Sequence, residues 1–125
     1  MRAILKKKWD AHIAEMRRTL DWLYFRDQIH VDCMTFVFKL ERGLLPALLC
    51  KSLKKAKEVH EHNTRNRENF YIANRTKEYE RRAIFYKSVA KYNQLNENIK
   101  SCTSVVSFRM KLESTIKNVY EANNE

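Results

Sequence analysis

The sequence predicts a mainly α-helical fold: a small single domain of about four to five helices, with an irregular basic connection and room for one short β-hairpin. Glycine and proline occur only once each in 125 residues, so the turn residues that a multi-stranded sheet requires are missing. Apolar residues recur at steps of three and four in several segments, which is typical of amphipathic helices. With 44% apolar and 32% charged residues, the composition is that of a folded domain rather than a disordered chain.

The first predicted helix covers residues 9–23. Five apolar side chains fall on one face of this helix, and we expect this stripe to pack against the rest of the domain. The five are Trp9, Ile13, Met16, Leu20 and Leu23.

Residues 27–57 are predicted to form an αα-hairpin, which completes an N-terminal part over residues 1–57. The first helix of the hairpin stops before Gly43. The second begins at Leu44, with Pro46 in its first turn, where the missing N–H is not needed. The predicted apolar faces are Ile29, Cys33, Phe36, Val37 and Leu40 in one helix, and Leu45, Leu48, Leu49, Leu53 and Ala56 in the other.

Residues 58–82 form a polar, basic connection of weak periodicity, with a short strand expected around residues 70–73. Residues 43–82 hold ten Lys and Arg against five Asp and Glu, the largest local excess of positive charge. The C-terminal segment, residues 83–125, is predicted to be helical, although residues 83–92 also fit a strand turning into a helix. Thr103 or Ser104 can cap the last helix with its hydroxyl.

The formal net charge is +10 and the pI is near 9.7, values that favour a polyanionic partner such as nucleic acid. A solvated basic surface, or a fragment whose acidic complement lies elsewhere, remains the alternative. No apolar run is long enough to cross a membrane, and residues 1–8 lack the apolar core of a secretory signal. The cysteines, Cys33, Cys50 and Cys102, are odd in number and widely spaced, as in intracellular proteins. We therefore expect no membrane contact and a location in the nucleus or cytoplasm.

Several kinds of catalytic site are not expected. His60 and His62 lack the Cys-x-x-Cys partners of a zinc site, and a single glycine cannot form a phosphate-binding loop. Cys33 and Cys50 lie on predicted apolar faces, where a thiol is usually a small core residue. The three scattered carboxylates of the N-terminal part, Asp21, Asp27 and Asp32, are interpreted as solvated helix residues. The sequence thus predicts no catalytic residue, metal or cofactor.

The basic run in the middle of the chain is the candidate binding site. Asparagines and aromatic residues, including Phe70, Tyr71 and Tyr79, alternate with it. Its cations can contact phosphates, and its rings can stack on unpaired bases, although the rings could instead anchor a solvated loop to the core. The predicted nucleic-acid-binding residues are Arg65, Arg67, Arg75, Lys77, Arg81 and Arg82.

Several short motifs follow one another between residues 18 and 120, beginning with Leu-Asp-Trp-Leu at residues 20–23 and Phe-Lys with Gly and Pro at residues 38–46. In their order they resemble the region that follows the polymerase core in jockey-like non-LTR retrotransposon reverse transcriptases, and the first of them resembles the box that opens that region. The other matching segments are His-Asn-Thr-Arg at 62–65, Arg-Thr at 75–76, Ala-Ile-Phe-Tyr at 83–86 and Ser-Phe-Arg-Met-Lys-Leu at 107–112. Tyr-Asn-Gln-Leu-Asn at 92–96 stands where the family has Trp-Asn-x-Leu-Pro, so this box is diverged.

The resemblance implies a helical, thumb-adjacent role in holding RNA or single-stranded DNA, with Thr64, Arg65 and Arg75 at matched positions. The catalytic fingers and palm of such enzymes have no counterpart in these residues, so the chain is not expected to be an enzyme. A protein-interaction module, docking on a polymerase core or another protein through Trp9 and Trp22, is the first alternative. A non-functional transposon relic is the second.

Overall fold

The computed structural model describes residues 1–61, 65–74, 77 and 83–122. These residues are mainly helical, as the sequence predicts, and contain no β-strand. Four of their eight helices are longer than a single turn, in rough agreement with the predicted four to five. The helices are α1 (Arg2–Leu5), α2 (Ile13–Thr19), α3 (Phe25–Glu41), α4 (Ala47–Cys50), α5 (Ala56–Val59), α6 (Ile84–Asn93), α7 (Glu97–Lys100) and α8 (Val105–Ala122).

Helix α3 is the centre of the fold and packs against both α6 and α8. The core forms where these three helices meet, and Phe38 of α3 stacks on Phe108 of α8 with ring centroids 4.4 Å apart. The buried apolar side chains of this core are Val31, Met34, Val37, Phe38, Phe70, Val89, Tyr92, Cys102, Phe108 and Leu112.

The buried face of α3 differs from the predicted one. Val37 and Leu40 are buried as expected, but Ile29 and Phe36 are exposed, and Val31 and Met34 take the central positions. The helix has apolar residues on several sides, and it contacts more than one helix. It ends at Glu41, and Gly43 adopts a positive φ of 67°, so the predicted glycine stop is confirmed.

The helix expected over residues 9–23 is shorter, Ile13–Thr19. His12 is extended and Asp21 is left-handed, with φ of 51°, so the chain leaves the helix at both ends. Met16 is buried and Leu23 packs against the core, whereas Trp9 and Ile13 stay exposed. Only the C-terminal half of the predicted stripe is therefore covered.

The second helix of the expected hairpin is replaced by two single turns, α4 and α5. Between them the chain turns at residues 51–52, and Lys55, which is extended, forms an isolated antiparallel bridge with Phe70. The backbone groups that pair in this bridge are not available for the hydrogen bonds of a continuous helix. Leu48 and Leu49 are exposed, while Leu53 packs against the core. This bridge is the only β-pairing in the described ranges, which contain no β-hairpin.

The C-terminal segment is helical from Ile84, so residues 84–92 form a helix and not a strand. Ser104 caps α8: its Oγ accepts a hydrogen bond from the Ser107 N–H at 3.1 Å. Asn96 caps the single turn α7 in the same way, through the Asn98 N–H.

Candidate nucleic-acid interface

Three of the six predicted binding residues lie in the described part of the chain. Arg65, Arg67 and Lys77 are exposed. The other three predicted residues, Arg75, Arg81 and Arg82, lie outside the described residues, as do His62 and Thr64 of the matched motifs. The Arg67 Nε is 3.6 Å from the Glu68 Oε1, an ion pair between two largely exposed side chains.

The turn that carries Arg65 and Arg67 is bonded to α5. The Lys57 N–H donates to the Arg67 carbonyl at 3.0 Å, and the Lys57 ammonium donates to Glu68 at 2.8 Å. The hydrogen bond from Lys57 holds the pKa of Glu68 below its ordinary value. Exposed ion pairs of this kind are weak and are screened by salt.

Phe70, directly after this turn, is anchored to the core on both its backbone and its ring. The Asn93 side-chain amide donates to the Phe70 carbonyl at 2.9 Å and accepts from the Phe70 N–H at 3.0 Å. The ring is buried and lies 6.0 Å from that of Tyr92. The backbone at residue 70 is thereby fixed relative to α6.

A charged cluster contacts the residues around Phe70, because the Lys55 ammonium lies over the Phe70 ring. Glu41, at the end of α3, accepts hydrogen bonds from Lys55 and from the Tyr92 hydroxyl, both at 2.5 Å. Burial alone would raise the pKa of Glu41, but these two bonds outweigh it and hold the pKa below its ordinary value. Burial and the bond to Glu41 strongly raise the pKa of Tyr92.

Beyond the anchor, the chain lines a cavity of about 510 Å³, which we call the aromatic groove. Its lining comes from three segments: Leu53 and Lys54, then Tyr71 and Ile72, and finally Phe85 and Tyr86 in the first turn of α6. The Tyr71 N–H donates to the Lys54 carbonyl at 2.8 Å, which fixes the tyrosine beside the lysine. The groove thus combines aromatic and aliphatic surface with a cation at its edge.

The aromatic residues of the basic run differ in their exposure. Phe70 is buried and anchors the loop, whereas Tyr71 is 37% exposed and faces the groove. Tyr79 lies outside the described residues. Sequence reasoning missed Lys54, Phe85 and Tyr86 as groove residues because they belong to segments distant in sequence. The available signal was the aromatic pair at residues 85–86, next to the basic run.

The interpretation of the three aspartates as solvated residues was incomplete, because each contacts the C-terminal helix. Asp21 pairs with Lys117, Asp27 accepts a hydrogen bond from Tyr120, and Asp32 lies 2.8 Å from the Arg109 guanidinium. Burial and the bond to Asp27 raise the pKa of Tyr120 to about 12. These carboxylates therefore attach α8 to the N-terminal half.

Arg17 adds a cationic contact at the same junction. Its guanidinium lies 3.7 Å from the centroid of the Tyr24 ring and 5.2 Å from that of the Tyr120 ring, and it donates to the Trp22 carbonyl. Because this arginine is buried between two rings, it contributes to packing rather than to the exposed basic surface.

The histidines and cysteines form no metal cluster: within the described ranges no group of three or more His, Cys, Asp or Glu is placed to hold an ion. His60 contacts the Tyr71 ring instead. Cys102 is buried in the core, Cys33 packs against it, and the Cys50 thiol donates to the Leu45 carbonyl.

Comparison of the chain with protein-family models, with curated proteins and with solved structures finds no match. Among the described residues, no helix is both long and apolar enough to span a membrane.

Proposed function

We propose that this chain is a non-catalytic nucleic-acid-binding region that holds RNA or single-stranded DNA mainly through the phosphate backbone. The observation that carries the proposal is the exposed basic turn at residues 65–68, which leads directly into the aromatic groove. Cations that replace the counterions of a strand supply affinity without sequence preference, and exposed rings supply stacking surface. The net charge of +10 acts in the same direction by attracting polyanions at long range.

The motif order that resembles the post-polymerase region of jockey-like reverse transcriptases supports the same proposal. In such an arrangement this region would support template and growing strand, while a separate core would perform catalysis. Arg65 is the matched position that is described, and its exposure suits a phosphate contact.

The first prediction concerns salt and charge. We expect a short labelled single-stranded RNA to bind much more weakly at about 200 mM than at about 50 mM salt, since released counterions drive binding. The triple substitution R65E/R67E/K77E should weaken binding to all sequences alike. It should also flatten the slope of log K against log salt by roughly two units, or about 0.7 per lost phosphate contact. Fluorescence anisotropy measures both quantities.

The matched control is K6E/K7E/K8E, which changes the net charge equally at three exposed lysines near α1. An equal loss in both triple variants would assign the effect to total charge and not to the basic turn. A wild-type affinity for the RNA that does not change with salt concentration would contradict the proposal itself.

A protein-interaction module is the second candidate, favoured by the amount of apolar surface that the fold leaves uncovered. Trp9 is 84% exposed, Phe25 82% and Leu48 83%. Large exposed apolar patches usually mark contact sites. Light scattering that finds a monomer at high protein concentration would count against self-association through this surface.

A further inference from the structure

We propose that the aromatic groove takes one unpaired nucleobase, with the phosphate of that nucleotide at Lys54. This inference rests on the proposed nucleic-acid function and deepens it, because it assigns a base-binding subsite separate from the basic turn. The volume of about 510 Å³ lies within the range of about 300–1,000 Å³ that is usual for small-ligand pockets.

The walls of the groove suit a flat aromatic ligand. Tyr71 lines it from one segment and Phe85 and Tyr86 from another, so aromatic surface is presented from two separate segments. Phe85 is 40% exposed, although its ring contacts Phe36 of α3 edge-on at 6.5 Å. A nucleobase can stack on such rings whatever its identity, since every base has a π-face.

The charges around the groove complement a nucleotide and not an apolar peptide. Lys54 lines the groove and is exposed, and Lys51 and Lys57 flank it in sequence and are also exposed. The Lys57 backbone is bonded to the basic turn, so a strand leaving the groove along α5 meets Arg65 and Arg67. By contrast, the neighbouring Lys55 is committed to Glu41.

The backbone also contributes. The bond from the Tyr71 N–H to the Lys54 carbonyl is the last that joins these two segments in the described part of the chain. The groove lies beyond it and is lined by residues 71–73. The bond therefore fixes the position of this wall of the groove beside Lys54.

The test compares two probes that carry the same phosphates: a short labelled oligouridylate and an abasic oligomer of equal length. We expect the wild type to bind the oligouridylate roughly five- to 150-fold more tightly, the gain expected for one stacked base. The substitution F85L should weaken binding of the oligouridylate at least five-fold and leave binding of the abasic oligomer unchanged.

The matched control is F25L, the same change at an exposed phenylalanine in the first turn of α3. It should alter the binding of neither probe. Equal, salt-dependent binding of both probes by the wild type would overturn the groove assignment and leave the proposed function standing. Failure of both probes to bind would overturn the proposed function as well.

A second measurement on the unaltered protein avoids any effect of substitution on folding. A photoreactive 5-iodouridine placed within the oligouridylate should crosslink to Tyr71, Phe85 or Tyr86, identified by mass spectrometry of the digested adduct. Crosslinks confined to the N-terminal segment, residues 1–24, would overturn the assignment.

Discussion

Phe70 and Tyr71 are adjacent in one extended segment, but the first is built into the core while the second stands at the edge of the aromatic groove. Successive side chains of an extended chain point to opposite sides. Because the bridge with Lys55 fixes the backbone at Phe70, the Phe70 ring enters the core and the Tyr71 ring points away from it. Phe70 is held by Asn93 on its backbone and by Tyr92 on its ring. Tyr71 has one backbone bond and an edge contact with His60.

A small helical fold can thus present a loop without a β-sheet. The Asn93 amide makes the two backbone hydrogen bonds at Phe70 that a neighbouring strand would make in a sheet, and these bonds fix where the following residues begin. Anchoring and presentation can therefore be disturbed separately, with different consequences for stability and for binding.

The largest effect on stability is expected at the anchor itself. Phe70→Ala should lower the free energy of unfolding by about 3 kcal/mol or more, because it opens a cavity beside Tyr92 and removes the ring over which the Lys55 ammonium lies. Tyr71→Ala, the matched control one residue on, should cost less than about 1 kcal/mol. Urea denaturation of both variants measures the difference. Similar losses would mean that the two residues are not distinguished as the structure indicates.

A smaller effect is expected when the amide that holds the anchor is removed. Asn93→Leu should cost about 2–3 kcal/mol, since it leaves the N–H and the carbonyl of Phe70 without their partner. Asn98→Leu, at an exposed asparagine in α7, is the control and should change stability by less than about 0.5 kcal/mol. If Asn93→Leu were as mild as the control, water would have to satisfy these backbone groups equally well.

The sequence predicted those parts of the fold that depend on local chemistry. The helical class, the stop at Gly43 and the hydroxyl cap of α8 follow from residues acting on their own neighbours. The buried face of α3 did not follow, because the apolar residues of that helix fit more than one face and only the packing of α6 and α8 selects between them.

The candidate site was predictable only in part for the same reason. The excess of positive charge is visible in the composition, and the exposure of Arg65 and Arg67 agrees with a solvated basic loop. The groove, however, joins residues 53–54, 71–73 and 83–89, which meet only in three dimensions. The bond between Asn93 and Phe70 spans 23 residues and has no periodic signature in the sequence.

The smallest expected effect is a pH dependence at the charged cluster beneath the anchor. Because the pKa of Glu41 is lower in the folded chain than its ordinary value of 4.5, its ionisation stabilises the fold above that pH. This contribution should be lost as the pH falls through the folded pKa and the bonds from Lys55 and Tyr92 weaken. Glu41→Gln should therefore be less stable than the wild type at pH 7, and the gap should close as the pH falls below 4.5 and through the lower folded pKa of Glu41. Urea denaturation across this range tests it, with Glu58→Gln as the control. Glu58 is an exposed residue of α5 whose bond to Lys55 is made by its backbone N–H, which the substitution keeps. A gap that stays constant with pH would mean that Glu41 stabilises the anchor by its shape and not by its charge.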